Sequence, residues 1–104
     1  YTRMGAAIRQ CARSNDIICR YGGDEFVVLL PDCGIRNAVP TAERIRCTVA
    51  AKVFRPDGKP VSVSLGCSEH SGHGDGLLTL HEADKALYAA KQAGRNRVCA
   101  GLEW

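Results

Sequence analysis

The sequence contains no long hydrophobic run, no secretion signal and no internal repeat. A transmembrane helix needs about 20 consecutive apolar residues. A secretion signal needs a basic start, an apolar stretch and a small-residue cleavage site. We therefore expect nothing within these 104 residues to cross a bilayer, although a longer parent protein could carry an anchor elsewhere. The length predicts a single small domain.

The six cysteines lack the spacing of a zinc or redox motif, since none forms a Cys-x-x-Cys pair. Six cysteines in a short secreted chain would be enough for a disulfide framework. Most of them lie in apolar stretches, however, which favours buried free thiols. We therefore expect a cytoplasmic domain, or one on the cytoplasmic side of a membrane-anchored parent.

No stretch of the chain concentrates positive charge. The formal net charge is +3, and the basic residues are scattered along the sequence. This balance is a weak indication of an anionic ligand and predicts no nucleic-acid partner.

Hydrophobic periodicity predicts helices alternating with short strands. The first helix is predicted by apolar residues at helical spacing, which are Met4, Ala7, Ile8, Cys11 and Ala12. A half-buried strand is predicted where Val61, Val63 and Leu65 alternate with serines. A Thr79–Glu82 capping box is expected to open the last helix. Pro40 predicts either a helix start near it or a kink. The predicted order is helix about 2–13, strands near 17–21 and 25–30, helix up to about 51, strand 61–65, helix about 80–93 and strand 97–99. This order indicates the α/β class, with helices packed on one sheet whose strand order the pattern does not give.

The run Gly22-Gly23-Asp24-Glu25 lies between two apolar stretches and predicts a hairpin tip. Two glycines let a backbone approach a ligand closely, and two carboxylates suit a divalent cation held against a phosphate. An ordinary tight turn with two solvated acids explains the same spacing equally well.

Several stretches resemble the GGDEF family of diguanylate cyclases, whose five-residue motif stands unaltered at Gly22–Phe26. Val61–Gly66 is similar to a later core strand of the family. Ala83–Tyr88, Lys91 and Gly94–Asn96 are similar to its last helix and the exit from that helix. The resemblance covers essentially the whole chain.

The resemblance implies a palm-like, ferredoxin-like nucleotidyl cyclase fold, with a sheet flanked by helices. It implies condensation of two GTP into cyclic di-GMP and two pyrophosphates by a homodimer, with Mg²⁺ or Mn²⁺ as cofactor. Asp24 and Glu25 would be the catalytic and metal-binding acids, since carboxylates activate a hydroxyl nucleophile. Gly22 and Gly23 would bind substrate.

The resemblance also implies that Lys91 and Arg95 bind the terminal phosphates of the substrate. Ammonium and guanidinium donors neutralise phosphate charge. Without the family, a solvated helix end with favourable cations would be the simpler interpretation.

Arg13 and Asp16 match the family's Arg-x-x-Asp inhibitory site, at the family's spacing from the motif. Arg44 resembles a secondary arginine for the same ligand. Bound cyclic di-GMP would then inhibit the enzyme, because an arginine fork suits phosphates and an aspartate accepts from guanine. A local Arg–Asp surface pair of small energetic value is the alternative.

The family's remaining active-site residues lie upstream of the first helix, and the chain opens at Tyr1 without an initiator Met. We therefore expect residues 1–104 to be the C-terminal two-thirds of a GGDEF domain, with its first strand missing and with no activity alone. Sensory or phosphodiesterase domains are expected in the parent chain. The alternatives are an inactive regulatory module that binds GTP or cyclic di-GMP, and a plain structural or dimerisation domain.

One further cluster, His70, His73 and Asp75, has some character of a metal site. It lies in a glycine-rich loop without an obvious fourth ligand, so a solvated loop is expected.

Overall fold

The described residues form three helices and four short strands in the predicted order. The computed structural model describes residues 2–22, 25–72, 74 and 76–101. Gly23, Asp24, His73 and Asp75 lie outside the described residues. The elements are α1 (Thr2–Cys11), β1 (Ile17–Gly22), β2 (Glu25–Leu29), α2 (Ile35–Lys52), β3 (Leu65–Cys67), α3 (Leu77–Gln92) and β4 (Val98–Ala100).

The four described strands form two separate two-stranded sheets, whereas the sequence predicted one. Strands β1 and β2 pair antiparallel as a hairpin, and β3 and β4 pair in parallel. Helix α3 supplies the crossover that a parallel pair requires. Among the described residues, no Cα of β1 or β2 comes within 8 Å of a Cα in β3, β4 or α3. The mixed class, with helices flanking small sheets, is confirmed.

The core lies between α1, α2 and the inner face of the hairpin. Helix α1 contributes Ala7 and Ile8, and α2 contributes Ile45 and the fully buried Val49. Burial of one such aliphatic side chain stabilises the fold by roughly 1.5–3 kcal/mol. The hairpin residues packed against this cluster are Ile18, Phe26 and Val28. The core therefore fixes the hairpin on α1 and α2.

Helix α3 lies unusually close to β3 at Gly66. A Cβ atom at that position would overlap the carbonyl oxygen of Ala83 and the backbone nitrogen of Leu87. Ala86 and Ala90 are 0% exposed on the same helix. Small residues on both sides thus allow the backbone of the strand to touch that of the helix.

The predicted strand 61–65 is only partly correct. Val61, Val63 and Leu65 pack against the core, as their alternation with serines predicted. Regular pairing begins only at Leu65, where its N–H donates to the carbonyl oxygen of Arg97 at 2.9 Å. Within the described residues, 61–64 has no neighbouring strand, because Val61 donates instead to the carbonyl of Val53.

Two predicted helix starts are displaced. Helix α3 begins at Leu77, after a left-handed Gly76, so the expected Thr79–Glu82 capping box lies inside the helix and does not cap it. Helix α2 begins at Ile35 and continues through Pro40. Pro40 is exposed, so the hydrogen bond that proline cannot donate is lost on the solvent side.

Within the described ranges, no helix is both long enough and apolar enough to cross a membrane.

Candidate functional sites at the two ends of the hairpin

The closed end of the hairpin carries the motif. Gly22 pairs with Glu25 across the two strands, and the register shifts between Arg20 and Gly22. Such a bulge increases local twist and re-aims side chains. Glu25 is exposed at this end, while Phe26 beside it packs against the core. The hairpin thus anchors one carboxylate of the motif at its tip.

The loop before α3 carries the second candidate metal cluster, of which only His70 lies in the described part of the chain. The Nδ1 atom of His70 lies 2.9 Å from the hydroxyl oxygen of Thr79, which ties this imidazole to α3. Ser68 donates to the carbonyl oxygen of the same threonine at 2.6 Å. Through these two contacts, His70 and Ser68 hold the loop against α3.

The open end of the hairpin borders a cavity of about 190 Å³. Arg13, Asp16 and Arg44, the three residues predicted for an inhibitory site, all line it. Asp16 directly precedes β1, and Arg13 follows the end of α1. Three positions spread over 32 residues of sequence are therefore brought to one concave surface.

Asp16 is the buried anchor of this cavity, with 4% of its surface exposed. One carboxylate oxygen accepts from the Arg13 backbone N–H at 2.7 Å, and the other lies 3.3 Å from the Arg13 guanidinium. The same guanidinium donates to the carbonyl of Pro31 at 2.6 Å, beyond the end of β2. Arg13 is thus held across the open end while 54% of its side chain stays exposed.

The surroundings of Asp16 make the stability of the fold depend on pH. Burial raises the pKa of Asp16, but the N–H and guanidinium of Arg13 and the charge of Arg9 outweigh burial and hold this pKa below its ordinary value. A carboxyl whose folded pKa is lowered stabilises the fold fully above its unfolded pKa. That stabilisation is lost as the pH falls through the folded pKa.

We therefore expect the thermal midpoint of the chain to fall as the pH decreases below about 4. Asp16→Asn should lower the midpoint at neutral pH and flatten its dependence on pH in this acidic range. Thermal unfolding between pH 3 and pH 7 measures both effects. Asp84→Asn on the exposed face of α3 is the control. A variant at Asp16 that keeps the wild-type pH profile would contradict the assignment.

Helix α2 supplies pocket residues that the sequence interpretation missed. Asn37 and Thr41 lie at helical spacing from the predicted Arg44 and line the same cavity. The guanidinium of Arg44 donates to the carbonyl of Cys11 at 2.8 Å, which links α2 to the end of α1. The spacing of these residues from Arg44 was the signal that would have identified them.

The motif and the cavity lie at opposite ends of the hairpin. Strand β1 contains six residues, so about 20 Å separates Asp16 from the tip. A ligand in the cavity therefore does not occupy the space at the motif.

The predicted phosphate-binding pair, Lys91 and Arg95, lies neither at the hairpin tip nor at the cavity. Lys91 is half-buried in the last turn of α3, and Arg95 is exposed in the turn that follows. Gly94 and Arg95 both have positive φ angles there, of 124° and 65°. The Arg95 N–H donates to the carbonyl of Ala90 at 2.9 Å and closes the helix. Within the described residues, α3 and the hairpin do not approach each other closely.

Comparison with known proteins gives one family. The family model described as diguanylate cyclase, GGDEF domain, matches residues 2–97. Diguanylate cyclase A of Treponema denticola is 44% identical over 94 residues, and diguanylate cyclase DosC of Escherichia coli is 39% identical over 99. The alignments cover 88% and 92% of this chain, but only 25% and 22% of those proteins.

Solved structures share the fold. The active GGEEF domain of a diguanylate cyclase from Vibrio cholerae matches with a TM-score of 0.87 and 28% identity, over 97% of this chain and 65% of that one. The GGDEF domain of DgcB from Caulobacter crescentus, in complex with c-di-GMP, matches with a TM-score of 0.85 and 32% identity. That match covers 95% of this chain and 61% of that one.

Proposed function

The chain belongs to the GGDEF family of diguanylate cyclase domains, and on that premise we propose that the whole protein condenses two GTP into cyclic di-GMP and two pyrophosphates. The observation that carries this proposal is the intact Gly22–Phe26 motif on a hairpin anchored to the core. Relatives named diguanylate cyclases, with about 40% identity across most of the chain, support it.

Glu25 and Asp24 are proposed to hold Mg²⁺ or Mn²⁺ at the hairpin tip. The donor set fits, because hard divalent cations take carboxylate oxygens and usually one or two of them from the protein. The bound ion would neutralise phosphate charge and acidify the attacking hydroxyl. The described part of the chain would contribute Glu25, on a strand pair packed against the core, and Gly22 beside it would leave room for the nucleotide. Asp24 and Gly23, proposed for the same roles from the motif, lie outside the described residues.

Lys91 and Arg95 are proposed to bind the terminal phosphates of GTP. Lys91 lies in the last turn of α3, and Arg95 follows four residues later. Their ammonium and guanidinium groups are donors suited to a triphosphate. Each domain of a homodimer would hold one GTP, so that each 3′-hydroxyl attacks the α-phosphate held by the partner. The arrangement needs two copies, because one domain presents only one nucleotide.

The two separate sheets support the proposal that residues 1–104 are the C-terminal two-thirds of the domain. The strands of the hairpin do not approach β3 or β4. Segment 61–64, which leads into β3, has no strand partner among the described residues. A strand from upstream would join them into one sheet. We propose that residues 1–104 alone are inactive, since such a strand and its site residues are then lacking.

The test is to incubate the full-length protein with GTP and Mg²⁺ and to measure cyclic di-GMP. Product is expected from the full-length protein and none from residues 1–104. A folded, dimeric full-length protein that binds GTP or cyclic di-GMP without forming product would instead be an inactive regulatory module. We also propose a cytoplasmic location, where GTP is available, and further sensory or phosphodiesterase domains in the same protein.

The cavity at the open end is proposed to bind cyclic di-GMP as a product inhibitor. Arg13 presents an exposed guanidinium, and Asp16 fixes its direction. Arg44 adds a second guanidinium from α2. A cavity of about 190 Å³ is smaller than a typical ligand pocket, so it would receive only part of a cyclic dinucleotide.

Arg13→Ala should weaken the binding of cyclic di-GMP to the full-length protein at least about tenfold, because a charge-assisted hydrogen bond is lost. Titration calorimetry of the wild type and the variant measures this loss. Arg3→Ala, which removes an exposed arginine from α1 outside the cavity, is the matched control. Equal affinities of wild type and Arg13→Ala would remove Arg13 from the site.

A further inference from the structure

The turn that follows α3 holds two consecutive side-chain-bearing residues in left-handed backbone. Arg95 has a φ angle of 65° and Asn96 one of 49°, directly after Gly94. Residues with a Cβ atom rarely adopt this conformation, although asparagine tolerates it better than most. The surrounding contacts must therefore hold the turn in place.

Two other parts of the fold hold Asn96. Its backbone N–H donates to the hydroxyl oxygen of Ser64, just before β3, at 3.1 Å. Its side-chain carbonyl accepts from the Nη1 atom of Arg46, on α2, at 3.2 Å. Asn96 thus joins the exit of α3 to a segment and a helix that lie 32 and 50 residues away in sequence.

The side chain of Arg46 is held by an ion pair on its own helix. Its guanidinium lies 2.8 Å from a carboxylate oxygen of Glu43, one turn earlier on α2, and 25% of its side chain is exposed. This pair leaves the Nη1 donor directed at the turn. On the other side, the Nε atom of Arg97 donates to the carbonyl of Arg95 at 3.0 Å. The backbone of Arg95 is therefore held at its own carbonyl by Arg97 and at the following residue by the contacts of Asn96.

We propose that Asn96 is a positioning residue, which holds Arg95 in the orientation that receives the terminal phosphates of the nucleotide and does so through its amide contact with Arg46. The inference rests on the proposed role of Arg95 as a phosphate ligand. An asparagine that served only as a left-handed helix terminator would need no partner on another helix. The bond to Arg46 is the observation that separates the two roles.

The experiment titrates inorganic tripolyphosphate into the full-length protein by calorimetry and records thermal midpoints in parallel. Asn96→Gly keeps the left-handed backbone and removes the amide, so it should weaken tripolyphosphate binding about fivefold while leaving the midpoint nearly unchanged. Asn15→Gly, the same change in the turn before β1, is the matched control and should bind as the wild type does.

Arg46→Ala tests the contact from its other side without altering the turn. It should weaken binding about fivefold in the wild-type background and much less in the Asn96→Gly background, since one contact cannot be lost twice. Equal effects in both backgrounds would show that Arg46 acts only as a distant charge, and would overturn the inference. Wild-type affinity in Asn96→Gly, or a loss of affinity matched by a loss of fold, would overturn it too.

A variant with both Lys91→Ala and Arg95→Ala separates this inference from the proposed function. If it loses tripolyphosphate while Asn96→Gly binds normally, only the role of Asn96 fails. If the wild type does not bind tripolyphosphate, or if the double variant binds it equally well, the phosphate role of Lys91 and Arg95 fails, and the inference about Asn96 fails with it.

Discussion

Gly66→Ala should lower the stability of the chain by about 3 kcal/mol, the upper end of what overpacking usually costs. The added methyl group would overlap backbone atoms of Ala83 and Leu87, and it would lie 2.9 Å from the carbonyl carbon of Ala86. Backbone cannot rotate aside as a side chain can, so α3 must move away from β3. Small domains have only about 5–15 kcal/mol of stability in total.

Thermal unfolding followed by circular dichroism measures this loss, which corresponds to a midpoint lowered by roughly 15 °C. Gly5→Ala is the matched control, because Gly5 lies within α1 and a Cβ there meets no atom within 4 Å. That variant should be stabilised by roughly 0.5–1 kcal/mol, since alanine favours a helix over glycine. A midpoint for Gly66→Ala near that of the wild type would show that β3 and α3 are farther apart than described.

Asp24→Asn in the full-length protein should abolish cyclic di-GMP synthesis, with a loss of at least about 10³-fold. The amide keeps the size of the side chain but removes the negative charge that a divalent cation and an attacking hydroxyl need. Asp24 lies outside the described residues, so this role is a proposal from the motif. Turnover of GTP with Mg²⁺, followed by chromatography of the product, measures the loss.

Asp84→Asn, at an exposed position on α3, controls for the general loss of one acidic charge and should keep full activity. An unchanged thermal midpoint for Asp24→Asn would show that the fold is intact. Activity retained by that folded variant would refute the metal-binding role of Asp24. Binding of cyclic di-GMP should be unaffected, since the length of β1, about 20 Å, separates Asp16 from the described end of the hairpin at Gly22.

Local patterns predicted those elements whose signals lie within a few residues. The spacing of Ala7, Ile8 and Cys11 predicted the buried face of α1, and all three are buried. The glycine pair between two apolar runs predicted the hairpin, whose described strands are Ile17–Gly22 and Glu25–Leu29. Alternation also predicted which side chains of 61–65 face the core, because pleating alone decides that.

Features that depend on distant partners were not predictable in this way. Alternation does not say which strand lies beside 61–64, so the prediction of a strand was wrong for those residues, which have no strand partner among the described residues. The Thr79–Glu82 pattern fits a capping box, yet the helix starts at Leu77. The bond between Arg46 and Asn96 joins residues 50 apart, for which a single sequence carries no signal. For the candidate sites, the grouping of Arg13, Asp16 and Arg44 followed from the family resemblance alone.

The arrangement of the hairpin affects how such a protein can evolve by substitution. Its two ends are held by different neighbours: the open end by Arg13, Asp16 and Pro31, and the tip by the packing of Phe26. Substitutions that destroy synthesis at the tip should therefore leave a working receptor for cyclic di-GMP at the base. Conversely, losses at Arg13 should yield an enzyme released from feedback. If both proposed sites are correct, one substitution at either end of the hairpin is enough to convert an enzyme that makes cyclic di-GMP into a protein that only binds it, or into an enzyme without feedback inhibition.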